Sequence, residues 1–181
     1  MDAPTRDVLR RQFDIAWALL SYHLESLDTA ECLWRPAERG LHVHQGPDGS
    51  WRADWPEEES YALGPPSIGW LTWHIDFWWS MTLDHHAGDG RLTREDVRWP
   101  GGAREVRAIL AARRAAWLEL LEPQAGSGRQ VPPEARWPFR ERPFEDVVAW
   151  LNLELMKNAA EIGSTRFLYA VRPAPQADRT P

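Results

Sequence analysis

The sequence predicts an all-α protein, specifically a four-helix bundle. Four long stretches, at about 5–27, 67–86, 103–121 and 144–170, carry apolar residues at three- and four-residue steps. No convincing central strand separates them, and amphipathic helices bury their apolar stripes best by packing together. The connections after the first and third helices are long, so the bundle need not have simple up-down-up-down topology.

The first helix has a plausible N-cap at Thr5 and an acidic residue, Asp7, in its first turn, where a negative charge favours the helix dipole. Its apolar stripe continues to Leu27. A second, very short helical turn is predicted at 29–34, because Pro36 prevents further extension.

A long irregular loop is predicted between the first and second long helices, over 28–66. Inside it, alternating residues flank the turn signal Gly46-Pro47-Asp48-Gly49, which favours a small hairpin. His42 and His44 lie on one face of its first strand, at a spacing able to chelate an ion. No other ligand is near in sequence, so we expect exposed histidines.

The second long helix begins after Pro65-Pro66 with Ser67 as a good N-cap. It is apolar on nearly every face, so it is either central in the bundle or shared with a partner subunit. The second alternative favours a homodimer. Five tryptophans either pack in the core, which is the commoner role, or frame a pocket for a small-molecule ligand: Trp70, Trp73, Trp78, Trp79 and Trp150.

The last two helices are separated by a proline- and glycine-rich linker at 123–143. We expect one domain over 1–172, followed by a flexible C-terminal tail at 173–181. His85 and His86 close the second long helix, where a histidine favours the helix dipole.

Composition limits the classes of partner and compartment. The chain has 181 residues, 43% hydrophobic and 27% charged, with a net charge of -6, which argues against a nucleic-acid partner. No apolar run approaches the ~20 residues needed to cross a membrane, and the N-terminus lacks a signal peptide's apolar region. A single cysteine, Cys32, suits a reducing compartment and is expected to be a buried structural thiol. We therefore expect a cytoplasmic protein.

Three segments together resemble the DinB-like superfamily of four-helix bundles: Leu33-Trp34-Arg35-Pro36-Ala37, then Ser67-Ile68-Gly69-Trp70-Leu71-Thr72-Trp73-His74-Ile75, then Glu154-Leu155-Met156-Lys157-Asn158-Ala159-Ala160-Glu161-Ile162-Gly163. The resemblance implies a divalent metal such as zinc or nickel, held by one histidine of the second long helix and two of the fourth. It also implies thiol-dependent transferases, isomerases and proteins without an assigned activity among the relatives.

Carried onto this chain, the resemblance identifies His74 as the ligand from the second long helix. Counting back from Gly163, the two remaining ligand positions fall on Lys157 and Glu161. A protonated lysine is a poor ligand, so the resemblance leaves only His74 and Glu161 as metal ligands. The alternative for His74 is an interior histidine hydrogen-bonded to a carboxylate.

The polar residues of the fourth helix also allow two interpretations. Lys157 and Glu161 form either a surface pair or a buried pair in which the ammonium takes the place of the lost cation near His74. Glu154 and Asn158 either rebuild an oxygen-rich site, or Asn158 hydrogen-bonds across the bundle while Glu154 faces solvent.

Two functional hypotheses follow. One is a metal-dependent enzyme, a thiol S-transferase, isomerase or hydrolase acting on a small molecule. The other, which the degraded ligand set favours slightly, is a non-catalytic bundle that has lost its metal and binds a small ligand or forms a dimeric interaction module. Both place a pocket around His74, lined by Trp70, Trp78, Glu154, Lys157, Asn158 and Glu161.

Overall fold

The structure, a computed structural model, describes residues 1–58, 60–122 and 137–173. Its elements are helix α1 (Ala3–Glu25), short helix α2 (Thr29–Leu33), strands β1 (Val43–Gln45) and β2 (Trp51–Ala53), and helices α3 (Ile68–Ala87), α4 (Ala103–Leu121) and α5 (Phe144–Ala170). This confirms the all-α class and the small antiparallel hairpin. Linker residues 123–136 and tail residues 174–181 lie outside the described residues, and the single-domain assignment stays a prediction.

Two hydrogen bonds show that α1 and α5 run parallel to each other. Asn152 Nδ2 donates to the backbone oxygen of Leu9, and Arg166 Nη1 donates to that of His23. The partner numbers rise together along both helices, so the chain returns to its starting direction in its last helix.

The inner helices run against this direction, and they run parallel to each other. In α3 and α5, His74 meets Asn158 and His86 meets Phe144, so the numbers change in opposite senses. In α4 and α1, the contacts of Arg107 with Leu24 and of Glu122 with Arg10 do the same. The connection over 88–102 must therefore return along the bundle, and the topology is up-down-down-up.

Helix caps explain where two of the long helices begin. Ser67 caps α3 as predicted, because its hydroxyl accepts from the backbone N–H of Trp70 at 3.3 Å. The predicted cap of α1, Thr5, is wrong. Asp2 is the N-cap and accepts from Thr5 N at 2.8 Å, with Pro4 in the first turn, where its missing N–H costs nothing. α1 also ends at Glu25, two residues before the predicted Leu27.

Helix α3 lies at the centre of the bundle and is covered by its own chain. It packs against α4 and α5, and its Trp79 lies against the rings of Phe13 and Trp17 in α1. Its apolar surface therefore does not require a partner subunit, and homodimerisation stays a prediction.

None of the helices in the described ranges combines the length and the apolar character that a membrane-spanning helix needs.

Gly163 permits the close approach of α1 and α5. A Cβ atom at this position would lie 2.5 Å from Nε2 of His23, well inside van der Waals contact. The glycine that closes the α5 segment thus has a packing reason in this chain.

Candidate functional site around His74

His74 projects from α3 towards α5, and both of its ring nitrogens have partners. Trp78, one turn further along α3, donates its indole N–H to Nε2 of His74 at 2.8 Å. An indole nitrogen can only donate, so Nε2 must be the acceptor and Nδ1 must carry the proton. Nδ1 then donates to Oδ1 of Asn158 at 3.3 Å, and Asn158 Nδ2 donates to the backbone oxygen of Glu154 at 2.7 Å.

This network keeps His74 neutral. The residue is 8% exposed, and its ring stacks on Trp70 with centroids 4.6 Å apart. Burial, with a smaller contribution from the Lys157 charge, lowers the pKa of His74 to about 4, while the Asn158 hydrogen bond opposes the shift. His74 is thus an interior histidine, and its α5 partner is a carboxamide rather than the expected carboxylate.

Asn158, rather than Lys157, is the α5 residue that touches His74. The Lys157 side chain is 48% exposed, and its Nζ lies 3.0 Å from Oε2 of Glu154. The interpretation of a buried Lys157–Glu161 pair is therefore wrong, because α5 is rotated so that Asn158 faces the core and Lys157 faces outwards. Glu154 is half-buried rather than solvent-facing, and Asn158 bonds across the bundle as predicted.

Glu161 lies half-buried on the same helix. Burial raises its pKa; the Lys157 charge opposes this rise and the Glu154 charge adds to it. Its backbone oxygen accepts from the Thr165 hydroxyl. Glu161 is thus a carboxyl group held in an environment that disfavours its charged form.

We expect Lys157→Met to change the free energy of unfolding by less than about 1 kcal/mol, because the lysine is half exposed and its pair with Glu154 is screened by water. Urea denaturation measures this change. Arg104→Met, which removes a strongly exposed charge paired with Glu105, is the matched control. A loss several times larger than the control's would show that Lys157 neutralises a buried acid after all.

Space between α3 and α5 is restricted where Trp78 and Asn158 hold His74. The cavity there has a volume of about 10 Å³, close to the size of one water molecule. Of the residues predicted to form a pocket, Trp78, Glu154 and Asn158 line this cavity, whereas His74, Trp70, Lys157 and Glu161 do not. Trp78 forms its wall and is itself held by Trp150 and Trp137, at centroid distances of 4.7 and 5.0 Å. Access for a larger molecule therefore depends on the position of Trp78.

The donor set around His74 does not fit the divalent metal that the resemblance implies. Both ring nitrogens of His74 are engaged, and the nearest α5 side chain is an amide. Across the described part of the chain, no three histidine, cysteine, aspartate or glutamate side chains come together in an arrangement able to hold a metal ion. The described hydrogen bonds of His74 go to Asn158 and Trp78, and not to Glu161, the second predicted ligand.

The sequence analysis did not predict the ion pair of a buried aspartate, Asp76, with the partly exposed Arg113. Asp76 of α3 accepts from Arg113 Nε of α4 at 2.7 Å and from the Ser80 hydroxyl at 3.1 Å. The available signal was an aspartate in the middle of an almost wholly apolar helix, which requires a partner when buried.

The histidines of the hairpin differ from each other. His44 is exposed on β1 as expected, and its Nδ1 lies 3.5 Å from Oδ1 of Asp54. His42 precedes β1 and is buried, so the expectation of an exposed side chain is wrong for it. Its backbone N–H donates to the Asp54 carboxylate and its backbone oxygen accepts from the Asp54 N–H.

Cys32, His85 and His86 have structural environments. Cys32 is buried as expected, and burial is the main cause that raises the pKa of its thiol to about 12. His85 stacks on Trp137 with centroids 5.7 Å apart, and Nε2 of His86 lies 3.2 Å from the Trp137 backbone oxygen. These two histidines therefore pack the end of α3 against the chain leading into α5.

Comparison with known proteins supports the resemblance. A family model described as the DinB superfamily matches residues 12–162, from within α1 to within α5. No curated protein and no solved structure matches the chain.

Proposed function

Because this chain belongs to the DinB superfamily but engages both ring nitrogens of His74 in hydrogen bonds to its own side chains, we propose that it is a metal-free, non-catalytic bundle. We propose further that it binds a small molecule beside His74. The alternative is a metal-dependent enzyme, which a tightly bound divalent metal would distinguish from this proposal.

The hydrogen bond from Trp78 to His74 carries the proposal. An imidazole binds a metal through a nitrogen lone pair. Here the lone pair of Nε2 accepts the indole N–H of Trp78 at 2.8 Å, and Nδ1 donates its N–H to Asn158 Oδ1. A metal ion could coordinate His74 only after the hydrogen bond to Trp78 or Asn158 had been broken.

The surroundings of Trp78 favour an apolar or aromatic ligand. The cavity wall combines aliphatic side chains of α3 and α5 with aromatic rings, and only Glu154 and Asn158 add polar groups. Apolar pockets with few polar groups are typical of small-molecule sites. Trp78 is only half-buried, so a change of its rotamer would enlarge the existing space between α3 and α5.

Metal analysis tests the first half of the proposal. The purified chain, titrated with Zn²⁺ and Ni²⁺, is expected to show no ion bound with one-to-one stoichiometry. His74→Asn serves as the comparison, because it removes the family ligand while keeping a polar side chain. One tightly bound ion per chain that disappears in His74→Asn would overturn the proposal and favour the metal-dependent enzyme.

Ligand binding tests the second half. Indole is the probe, and the side-chain ¹⁵N signals of His74 are the readout in NMR. We expect saturable binding that shifts these signals and is strengthened by Trp78→Ala, which removes the wall. Trp55→Ala, a partly exposed tryptophan outside the site, is the matched control. Absence of indole binding in the unmodified chain would contradict a pocket beside His74.

A further inference from the structure

A second cleft lies near the hairpin. It has a volume of about 480 Å³ and is formed by the loop after α2, the start of β1 and the turn at 62–63. Its charged and titratable side chains are Arg35, Glu38, Arg39, His42, His44 and Asp54. Trp70 separates it from the first site, since its indole donates to the Asp54 backbone oxygen while its ring stacks on His74.

His42 is a buried polar group without a partner. The residue is 6% exposed, and neither Nδ1 nor Nε2 has a hydrogen-bond partner among the described residues. Buried polar atoms are nearly always paired, because an unpaired one loses its hydrogen bonds to water without replacement. Gly40 makes room for the ring, because a Cβ there would lie 2.9 Å from His42 Cε1. The fold thus keeps an imidazole donor at the cleft without using it.

The two arginines of the cleft are also available. Within the described residues, neither Arg35 nor Arg39 forms an ion pair or a side-chain hydrogen bond. Asp54 is already engaged, since one carboxylate oxygen accepts the His42 backbone N–H at 2.8 Å and the other lies near His44. Glu38 is the remaining acid, and it is exposed. The unpaired groups of the cleft are therefore two guanidinium groups, one imidazole and the exposed Glu38 carboxylate, so the positive charges outnumber the unpaired negative one.

We propose that this cleft binds the phosphate group of a small molecule, with Arg35 and Arg39 supplying the charge and the His42 ring supplying a buried N–H donor. Guanidinium groups match phosphate oxygens in geometry and form strong charge-assisted hydrogen bonds with them. The neutral imidazole donates one N–H, which a phosphate oxygen accepts. The site uses no residue of the His74 network, so it goes beyond the function proposed above.

NMR titration of the ¹⁵N-labelled full chain tests this proposal. Inorganic phosphate, phenyl phosphate and acetate are added separately at constant ionic strength, and the imidazole signals of His42 are followed. We expect saturation by a phosphate probe and little response to acetate. Response to both phosphate probes identifies the phosphate group itself as sufficient, whereas response to phenyl phosphate alone identifies a phosphate ester; either supports the proposal.

Variants assign the binding to named residues. Arg39→Gln and His42→Phe are each expected to weaken phosphate binding by about tenfold or more. His42→Phe keeps a buried ring and removes two unpaired nitrogens, so it should fold at least as well as the parent, which thermal unfolding checks. Arg104→Gln, a strongly exposed arginine outside the cleft, is the control. His74→Asn should leave phosphate binding unchanged, which separates this test from that of the first site.

Three outcomes would overturn the proposal. The first is no saturation by either phosphate probe in the unmodified chain. The second is equal binding of acetate, which would mean general charge attraction. The third is phosphate binding that survives both Arg39→Gln and His42→Phe unchanged, because the phosphate would then be held elsewhere.

Discussion

Arg113→Met is expected to lower the free energy of unfolding by about 3 kcal/mol. Removing one partner of a buried ion pair leaves the other charge without compensation, which costs roughly 3–5 kcal/mol. The Asp76 side chain is 8% exposed, and among the described residues it would keep only the Ser80 hydroxyl as a side-chain donor. Arg113 itself is 38% exposed, so water can partly replace it, and the lower end of the range applies. Urea denaturation at neutral pH measures the loss.

Two further variants separate lost charge compensation from lost packing. Arg104→Met removes an equally long but exposed side chain and should cost less than about 1 kcal/mol. The double variant Asp76→Leu/Arg113→Met removes both charges and should recover most of the loss. An Arg113→Met protein that unfolds within 1 kcal/mol of the parent, with a destabilised double variant, would mean that the pair is not a source of stability.

Local spacing was sufficient to predict the long helices and their order. The α4 and α5 boundaries agree with the prediction, and Ser67 caps α3, because apolar periodicity and caps are properties of short stretches. Thr5 failed as a cap because Asp2 offers the same capping chemistry one turn earlier and is followed by Pro4. Where two cap residues compete, the sequence alone does not decide between them.

The partners of the α5 polar residues could not be predicted, because helix neighbours three and four residues apart are nearly equivalent. Lys157 reaches back to Glu154 instead of forward to Glu161, and Asn158 takes the inner position. The rotation of α5 about its axis decides which of these side chains faces inwards, and α5 packs against α1 and α3. Counting back from Gly163 identifies sequence positions on α5, but it does not give the directions in which their side chains point.

The contact between Trp78 and His74 was predictable from the sequence in part. Its position four residues after His74 places the two side chains on one face of α3, which the sequence reveals. Whether the indole N–H points at the imidazole lone pair depends on the rotamers, which Trp137 and Trp150 constrain from other parts of the chain. His42 is similar, since its burial accompanies hydrogen bonds to Asp54, which is twelve residues away in the sequence.

The buried neutral state of His74 predicts that acid destabilises the protein. The ordinary pKa of 6.5 applies to the unfolded chain, whereas the pKa of His74 in the fold is lowered to about 4. Between these two pH values the unfolded state binds a proton that the folded state excludes, so stability is complete above pH 6.5 and falls as the pH decreases towards 4. The gap corresponds to about 3 kcal/mol at pH 4.

His74→Asn isolates this contribution, because asparagine does not titrate in this range. Its free energy of unfolding, from urea denaturation between about pH 7 and pH 4, should fall less steeply than the parent's by about 3 kcal/mol in total. The neutral-pH stability of the variant can be lower without affecting the comparison, since only the slope is used. His44→Gln, which changes a half-exposed histidine, should keep the steep dependence. Equal slopes in His74→Asn and the parent would show that His74 takes up its proton inside the fold, which requires the Trp78 hydrogen bond to open.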